Sequence, residues 1–292
     1  MLPLEAVPNF SEGRDRSTIE AIGEALSAHA RLLDVHSDED HNRSVYTLVG
    51  SEGELVAALL SGIACARERI DLRRHEGAHP CIGAADVVPL VPIREADADR
   101  ARSAALELAR RVGEELALPV LLYADLASGR GPAFFRRGGP TELQRRVDAG
   151  ELVPDFGPAR LDERAGAVLV GARSPLIAFN IDLASDDLDA ARDVARAVRE
   201  RDGGFPGVRA LGLRLPRAGH VQVSLNIEDW RASPLHEVVA AVQREASARG
   251  LRVTGSELVG LLPAGAVVAA ADSLLVAGLD PAHVLELRLL PE

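Results

Sequence analysis

The sequence predicts two α+β (α/β) subdomains, residues 1–175 and 176–292, each with helices packed on a mixed β-sheet. The length of 292 residues is long for one compact domain and suits two. Apolar residues make up 47% of the chain, so a large core can be buried. Short β-rich runs alternate with amphipathic stretches, and this pattern restarts near Arg173–Leu176.

The first half opens with a helix and two strands. Ser17 and Glu20 have capping-box spacing and precede apolar residues at helical period, which predicts a helix start. The runs "RLLDVHS" and "RSVYTLVG" are β-rich and flank the polar loop "SDEDHN". Ser51 and Glu54 repeat the capping-box signal, so a second helix is expected to about Ile70.

The remainder of the first half continues the alternation. "DVVPLVPI" predicts a strand, residues 97–116 a helix, and "LPVLLYA" another strand. Residues 127–157 are rich in Gly and Arg, and we expect a long ordered connection with one short helix. Connections of this length inside a domain are usually functional or disordered.

The second half repeats the mixture of strands and helices. "PLIAFNIDL" predicts a strand, residues 186–201 a helix, and "VRALGLRL" with "HVQVSLNIED" a pair of strands. A helix is expected over 234–249. We interpret "GSELVGLLPAGAVVAAADSL" as a loop followed by a final helix.

Composition excludes several classes of function. The formal charge is −11 and every one of the 33 basic residues is Arg, so nucleic acid is a poor partner. Two cysteines, Cys65 and Cys81, do not form a disulfide framework in a chain of this size. No uninterrupted apolar stretch reaches 18 residues and no signal peptide is visible, so we expect a cytoplasmic protein that does not enter a membrane.

The loop "HEGAHPCIGAADVVP", residues 75–89, is the strongest candidate for chemistry. His75 and His79 have the i, i+4 spacing of helical zinc ligands, but Pro80 disfavours helix at His79, so we expect no metal. His36 and His41 are the remaining candidates to complete a ligand set. A surface loop is the plain alternative. An imidazole held beside rigid Pro80 is well suited to accept and return a proton at neutral pH.

Six segments of the chain resemble the formiminotransferase family: "VPNFSEGRD", "DHNRSVYTLVG", "HEGAHPCIGAADVVPLVPI", "PDFGP", "GARSPLIAFNIDL" and "GSELVGLLP". The resemblance implies two α/β subdomains with a substrate tunnel between them, and a homodimer. It also implies transfer of the formimino group of N-formimidoyl-L-glutamate to N5 of tetrahydrofolate, in histidine degradation. Tetrahydrofolate is thus the implied co-substrate, and the cyclodeaminase domain of animal members is not expected.

The resemblance also assigns residues. The histidine directly before the proline is the family's catalyst, which makes His79 the expected catalytic residue and His75 a substrate-binding neighbour. The family's folate stretch implies the range from Gly157 to Gly166. Cys81 departs from the Arg that usually follows His-Pro, so another residue, such as Arg43 or Arg74, would have to neutralise a substrate carboxylate.

The chemistry of the reaction adds further candidates. A carboxylate near the amidinium of the donor would stabilise it, and Asn side chains would hydrogen-bond the donor or the pterin. Arg is the residue best suited to the carboxylates of folate, and one or two of five nearby arginines are expected to bind them. The substrate-binding candidates are Asn9, Glu12, Asp38, Asp40, Asn42, Arg43, His75 and Asp86, and the folate-binding candidates are Gly157, Pro158, Arg160, Arg164, Gly166 and Asn180, with Arg136, Arg137, Arg173 and Asn226 as additional options.

Two other functions stay open from the sequence. The first is a hydrolase that passes the same amidine to water, using His79 with a metal or with Cys81 as nucleophile. The second is a non-catalytic homologue that binds folate. Turnover that requires tetrahydrofolate is expected of the transferase alone, because the hydrolase would not need it and the homologue would show no turnover.

Overall fold

The computed structural model describes residues 2–127, 129–270, 283 and 285. The chain divides after Ser174 into two compact units. Each unit has its own sheet and its own apolar core, so the protein is of the mixed α/β class that the sequence predicts. The predicted subdomain boundary lies one residue further along the chain.

The first unit is built on a mixed sheet. Two short strands, β1 (Leu4–Ala6) and β2 (Asn9–Phe10), lie end to end between β4 (Arg43–Gly50) and β5 (Ala85–Pro92). Both are antiparallel to β4 and to β5. The spatial order is therefore β3, β4, the pair β1/β2, β5, β7 and β6, of which the last three are parallel to one another. The strands are β1 Leu4–Ala6, β2 Asn9–Phe10, β3 Arg31–Asp38, β4 Arg43–Gly50, β5 Ala85–Pro92, β6 Val120–Ala124 and β7 Val168–Ala172.

Helices cover both faces of this sheet. Alternate residues of β7 point to opposite faces of the sheet and belong to two different cores. Val168 and Val170 pack with helices α1 to α3, whereas Leu169 packs with Phe135 of α4 and Leu143 of α5. The helices are α1 Arg16–Ser27, α2 Glu52–Arg69, α3 Ala98–Glu115, α4 Pro132–Arg136 and α5 Gly139–Asp148.

The two predicted capping boxes have different outcomes. Ser51 and Glu54 form the reciprocal capping box that the sequence predicts, and α2 follows as expected. The prediction for α1 is wrong by two residues, because its N-cap is Asp15. The Asp15 carboxylate accepts hydrogen bonds from the Ser17 N–H and the Thr18 hydroxyl, so the helix already begins at Arg16. The 127–157 connection also contains two helices, α4 and α5, where one was predicted.

The second unit has a four-stranded sheet in the order β11, β8, β10, β9. Every pairing is antiparallel, so the prediction of a mixed sheet is wrong for this half. Helices α6 and α7 cover the face that carries Phe179, Ile181 and Val223. The elements are β8 Ile177–Leu183, α6 Leu188–Val198, β9 Val208–Leu215, β10 His220–Ile227, α7 Leu235–Ala248, β11 Val253–Val259 and α8 Ala264–Ala270.

Two local predictions in this half need correction. The helix predicted over 186–201 ends at Val198 and is followed by a single 3-10 turn, Glu200–Asp202. The segment "GSELVG" is mostly strand rather than loop, because β11 pairs with β8 along its length. The final helix begins at Ala264 as α8, and its predicted continuation beyond residue 270 lies outside the described residues.

None of the helices in the described ranges is long and apolar enough to span a membrane.

Candidate active site

Three loops of the first unit that contain predicted site residues meet in the structure: residues 11–14, 38–42 and 75–84. They approach so closely that two positions have no room for a side chain. A Cβ on Gly13 would lie 2.1 Å from the Asp38 carbonyl oxygen, and a Cβ on Gly77 would lie 2.3 Å from the carbonyl oxygen of His41. Glycine is therefore what allows these backbones to pack against one another.

Asn42 ties the three loops together. Its backbone has φ = +49°, a left-handed conformation that asparagine tolerates better than most residues. Its Oδ1 accepts a hydrogen bond from the Gly13 N–H at 2.9 Å, and its Nδ2 donates to the carbonyl oxygen of Glu76 at 3.1 Å. The same Nδ2 lies 3.2 Å from Nδ1 of His75. Asn42 is buried, so these contacts make it a structural link within the site.

His79 lies at the exposed end of this arrangement and is half-buried. Its Nδ1 is 2.9 Å from the Pro80 carbonyl oxygen. Because a carbonyl oxygen only accepts, this contact requires the ring hydrogen on Nδ1 and leaves the lone pair on Nε2. Within the described residues, Nε2 has no hydrogen-bond partner. The Nε2 lone pair is thus available to accept a proton.

The pKa of His79 lies well below the ordinary histidine value. Burial disfavours the imidazolium form, and the positive charges of Arg43 and Arg136 add to the effect. A smaller contribution comes from His41, whose ring centroid is 5.9 Å from that of His79. His79 is therefore neutral at physiological pH. Burial likewise lowers the pKa of His75.

Beside this loop, β5 carries a β-bulge that places Asp86 in the site. Asn9 pairs with Val87 while the next residue of β2, Phe10, pairs with Ala85, so Asp86 has no partner opposite it. Bulges of this kind re-aim a side chain and are frequent next to active sites. Asp86 is fully buried, and its Oδ1 accepts a hydrogen bond from the Ile82 N–H at 2.8 Å.

Two guanidinium groups share the other oxygen of Asp86. Arg43 Nη1 lies 2.7 Å from Oδ2, and Arg136 Nη2 contacts the same atom. Burial alone would raise the pKa of Asp86, but the charges of Arg136 and Arg43 outweigh it and lower the pKa below the usual range. Burial also lowers the pKa of Arg43, against the attraction of Asp86. Asp86 is thus an ionised partner of two arginines.

The remaining substrate-binding candidates have structural contacts of their own. Asn9 accepts from Arg43 Nε at 2.9 Å and donates to the carbonyl oxygen of Val7, so it orients the guanidinium. Glu12 accepts from the backbone N–H groups of Arg14 and Asp15, which shapes the turn before α1. Asp40 is buried, and its carbonyl oxygen accepts from the Ala78 N–H at 2.9 Å. Asp38 accepts from the His41 N–H through its side chain.

Cys81 is half-buried next to the same cluster. Burial and the negative charge of Asp86 raise the pKa of its thiol, while a hydrogen bond with Ser11 and the nearby arginines oppose the shift. A thiol with a raised pKa stays protonated at neutral pH and is a poor nucleophile. The environment therefore favours His79 over Cys81 as the group that does chemistry.

The predicted folate stretch, residues 157–166, contacts the end of α3 at its first residue and the loop that carries His79 at its last. Gly157 packs against Gly113 and Leu118, while Gly166 lies against the Ile82 carbonyl oxygen. The Ala84 N–H donates to the carbonyl oxygen of Ala165 at 2.8 Å, which joins the stretch to the loop. Between these ends Pro158, Arg160 and Arg164 are exposed, with Arg160 paired to Glu163 and Arg164 near Asp71, whereas Leu161 is buried.

Other folate candidates are dispersed. Asn180 is buried on β8 of the second unit, where its Nδ2 donates to Glu257 Oε2 at 3.3 Å, and Asn226 is exposed on β10. Arg137 is exposed, and Arg173 is half-buried with its guanidinium near the hydroxyl of Tyr123. Arg136 is the candidate that the structure brings into the His79 neighbourhood. In the described part of the chain, no group of three or more His, Cys, Asp or Glu side chains is arranged to hold a metal ion.

Comparison with known proteins accounts for both units. Residues 3–173 match the N-terminal subdomain of the formiminotransferase domain, and residues 178–277 match the formiminotransferase domain model that follows it. The chain belongs to the formiminotransferase family.

Several curated relatives of this formiminotransferase are named for their activity. It is 37% identical to the glutamate formimidoyltransferase of Thermoplasma acidophilum, with 98% of this chain and 97% of that protein aligned. It is 34% identical to the glutamate formimidoyltransferase of Streptococcus pyogenes over 93% of each chain. The formimidoyltransferase-cyclodeaminase of Gallus gallus is 40% identical, and the alignment covers 92% of this chain and 52% of that protein.

These relatives establish a transferase enzyme that moves a formimidoyl group. The sequence did not predict the positions of two residues that the structure places near His79 and Asp86. Arg136 was one of five interchangeable arginines, and His41 was considered only as a metal ligand. The adjacency of His41 to the Asn42-Arg43 motif was the available signal. For Arg136 there was none, because it meets Asp86 across fifty residues of chain.

Proposed function

We propose that this formiminotransferase moves the formimino group of N-formimidoyl-L-glutamate to N5 of tetrahydrofolate, giving 5-formimidoyltetrahydrofolate and L-glutamate. The observation that carries the proposal is the state of His79: a neutral imidazole whose Nε2 faces no protein partner, on a loop fixed by Asn42. The relatives support the reaction class, and this imidazole is the group suited to its proton transfers.

The reaction needs one proton to change places. N5 of tetrahydrofolate attacks the amidine carbon of the donor, and a new N5–C bond forms in a tetrahedral intermediate. Nε2 of His79 takes the N5 proton and delivers it to the departing glutamate nitrogen as the old C–N bond breaks. Nothing is oxidised or reduced, and holding the two substrates together supplies the remaining acceleration.

The lowered pKa of His79 assists both proton transfers, from N5 and to the departing nitrogen. His79 is unprotonated at neutral pH and can therefore accept the N5 proton at once. The imidazolium that results is a stronger acid than an ordinary histidine, because Arg43 and Arg136 destabilise it. It consequently returns the proton readily to the leaving nitrogen.

The same proposal assigns the folate to residues 157–166. Support comes from the connection of this stretch to the His79 loop through Ala84 and Ala165, together with the exposure of Arg160 and Arg164 as carboxylate ligands. A homodimer, small-molecule substrates only, and a place in histidine degradation complete the proposal.

A mass-spectrometric assay tests it. The protein is incubated with tetrahydrofolate and N-formimidoyl-L-glutamate or N-formimidoyl-glycine, and 5-formimidoyltetrahydrofolate is expected with the glutamate donor. Donor consumption without tetrahydrofolate, with release of formamide or ammonia, would establish a hydrolase instead. Folate binding with no turnover of either donor would establish a non-catalytic homologue.

A further inference from the structure

The cluster of Arg43, Asp86 and Arg136 carries more positive than negative charge. Both guanidinium groups bind the single carboxylate of Asp86, so the cluster has a net charge of +1. The side chain of Arg43 is only 9% exposed and that of Arg136 only 12%, while Asp86 is not exposed at all. Among the described residues, no second carboxylate lies within ion-pair distance of either arginine. A buried charge of this kind is costly unless an anion compensates it.

The cluster also has an unused hydrogen-bond donor. Arg136 Nε is buried and has no partner within the described chain, although Nη2 of the same group is held by Asp86. Arg43 uses Nε for Asn9 and Nη1 for Asp86, and its Nη2 makes no hydrogen bond to a described residue. Buried donors in proteins are almost always paired, so the unpaired Nε of Arg136, next to an Arg43 guanidinium with one further donor to offer, points to an acceptor outside the described chain.

The chemistry of the missing group follows from these donors. A planar carboxylate accepts from guanidinium N–H groups and supplies the one negative charge that the cluster lacks. Two substrates of the proposed reaction contain carboxylates: the amino-acid part of the donor and the glutamate tail of the folate. The α-carboxylate of the donor is attached to the same carbon as the reacting nitrogen, whereas the folate tail is separated from N5 by the aminobenzoyl group. Asp86, which binds both arginines, also accepts a hydrogen bond from the Ile82 N–H in the loop that carries His79, so the cluster lies beside the proposed proton carrier, which favours the donor.

We propose that Arg43 and Arg136, held together by Asp86, form the recognition site for the α-carboxylate of the amino-acid half of the donor. This inference rests on the proposed function for the identity of the donor. The site binds the α-carboxylate, which N-formimidoyl-L-glutamate and N-formimidoyl-glycine share. Discrimination between these two donors must therefore come from contacts with the glutamate side chain.

Calorimetric titration with the amino-acid product tests this site without turnover. The wild-type protein is titrated with L-glutamate, with L-glutamine, which keeps the α-carboxylate, and with L-isoglutamine, in which that carboxylate is an amide. We expect the first two to bind and L-isoglutamine to bind roughly ten- to a hundredfold more weakly, the loss expected for one charged hydrogen-bonding partner. Equal binding of all three, or no binding of L-glutamate by the wild type, overturns the proposal.

Arg136→Met and its neighbour Arg137→Met form a matched pair for the same titration. Arg137 is exposed, so its replacement removes one charge from the same segment and is expected to leave L-glutamate affinity unchanged. Arg136→Met retains the Arg43–Asp86 pair with balanced charge, which keeps the fold intact, and is expected to weaken L-glutamate by roughly ten- to a hundredfold. An equal effect of the two substitutions contradicts the proposal.

A comparison of tetrahydrofolate with tetrahydropteroate, which has no glutamate tail, separates the two sources of carboxylate. If Arg136→Met weakens tetrahydrofolate alone, the site belongs to the folate tail and the proposal is overturned. L-Glutamate binding that depends on Arg136, in a protein that makes no 5-formimidoyltetrahydrofolate, keeps the carboxylate site and refutes the proposed function. If the wild-type protein makes 5-formimidoyltetrahydrofolate but its affinity for L-glutamate does not depend on Arg136, the proposed function stands and the carboxylate site is refuted.

Discussion

The imidazole rings of His41 and His79 lie 5.9 Å apart between centroids, with their planes inclined by 33°. Burial is the largest cause of the lowered pKa of His79, and Arg43, Arg136 and His41 lower it further. The histidine that the proposed reaction uses therefore stands in a neighbourhood of cations, which determines how its activity responds to pH.

The acid limb of the kcat/KM profile is expected well below pH 6.5. His79 must be neutral to accept a proton, and because its pKa in the folded protein is lowered, it stays neutral as the pH falls through the ordinary histidine range. Activity is therefore retained at pH 6.5 and lost only as the pH approaches the lowered value. His41→Gln removes one cause of the shift and should move the limb toward pH 6.5. His29→Gln, at an exposed position after α1, should leave it in place. An acid limb at pH 6.5 in the wild-type profile would contradict the assignment of His79 as the proton acceptor.

Replacing the proton carrier should reduce turnover strongly. His79→Gln keeps a polar side chain of similar size but cannot accept and return a proton, so kcat is expected to fall by roughly 10²–10⁴-fold. Folate affinity should change little, since the loss is confined to the chemical step. Rates of product formation and tetrahydrofolate titrations of the variant measure the two effects. Unchanged turnover removes His79 from the mechanism.

The buried charge cluster should contribute to stability as a unit. Asp86→Asn leaves two buried guanidiniums without a counter-ion, and the free energy of unfolding is expected to fall by about 3–5 kcal/mol. Adding Arg136→Met to that variant removes one of the uncompensated charges and should restore part of the loss. Urea denaturation of the two single variants and the double variant measures the coupling. Additive losses would show that Asp86 and Arg136 act independently.

Local signals predicted the regular elements better than the site. The Ser51–Glu54 capping box was correct because every partner lies within one helical turn. The strand Val253–Val259 was missed because it contains residues of low β-propensity and is held by pairing with β8, about seventy residues away. The same limit applies to the site: the motif around His79 could be read locally, but the meeting of Arg136 with Asp86 depends on a helix folding back over the sheet.

The close approach of the loops predicts opposite outcomes for two glycine substitutions. A Cβ at Gly77 would lie 2.3 Å from the His41 carbonyl oxygen, so Gly77→Ala must displace the loop that carries His79. We expect a loss of about 1–3 kcal/mol in stability from the overpacking, and a fall in kcat of roughly up to 10²-fold from the misplaced imidazole. Gly53 lies in α2 with nothing within 4 Å of an added Cβ. Gly53→Ala should therefore raise stability by about 0.5–1 kcal/mol with turnover unchanged. Denaturation curves and initial rates of both variants decide the matter, and wild-type turnover in Gly77→Ala would show that the position of this loop does not control the reaction.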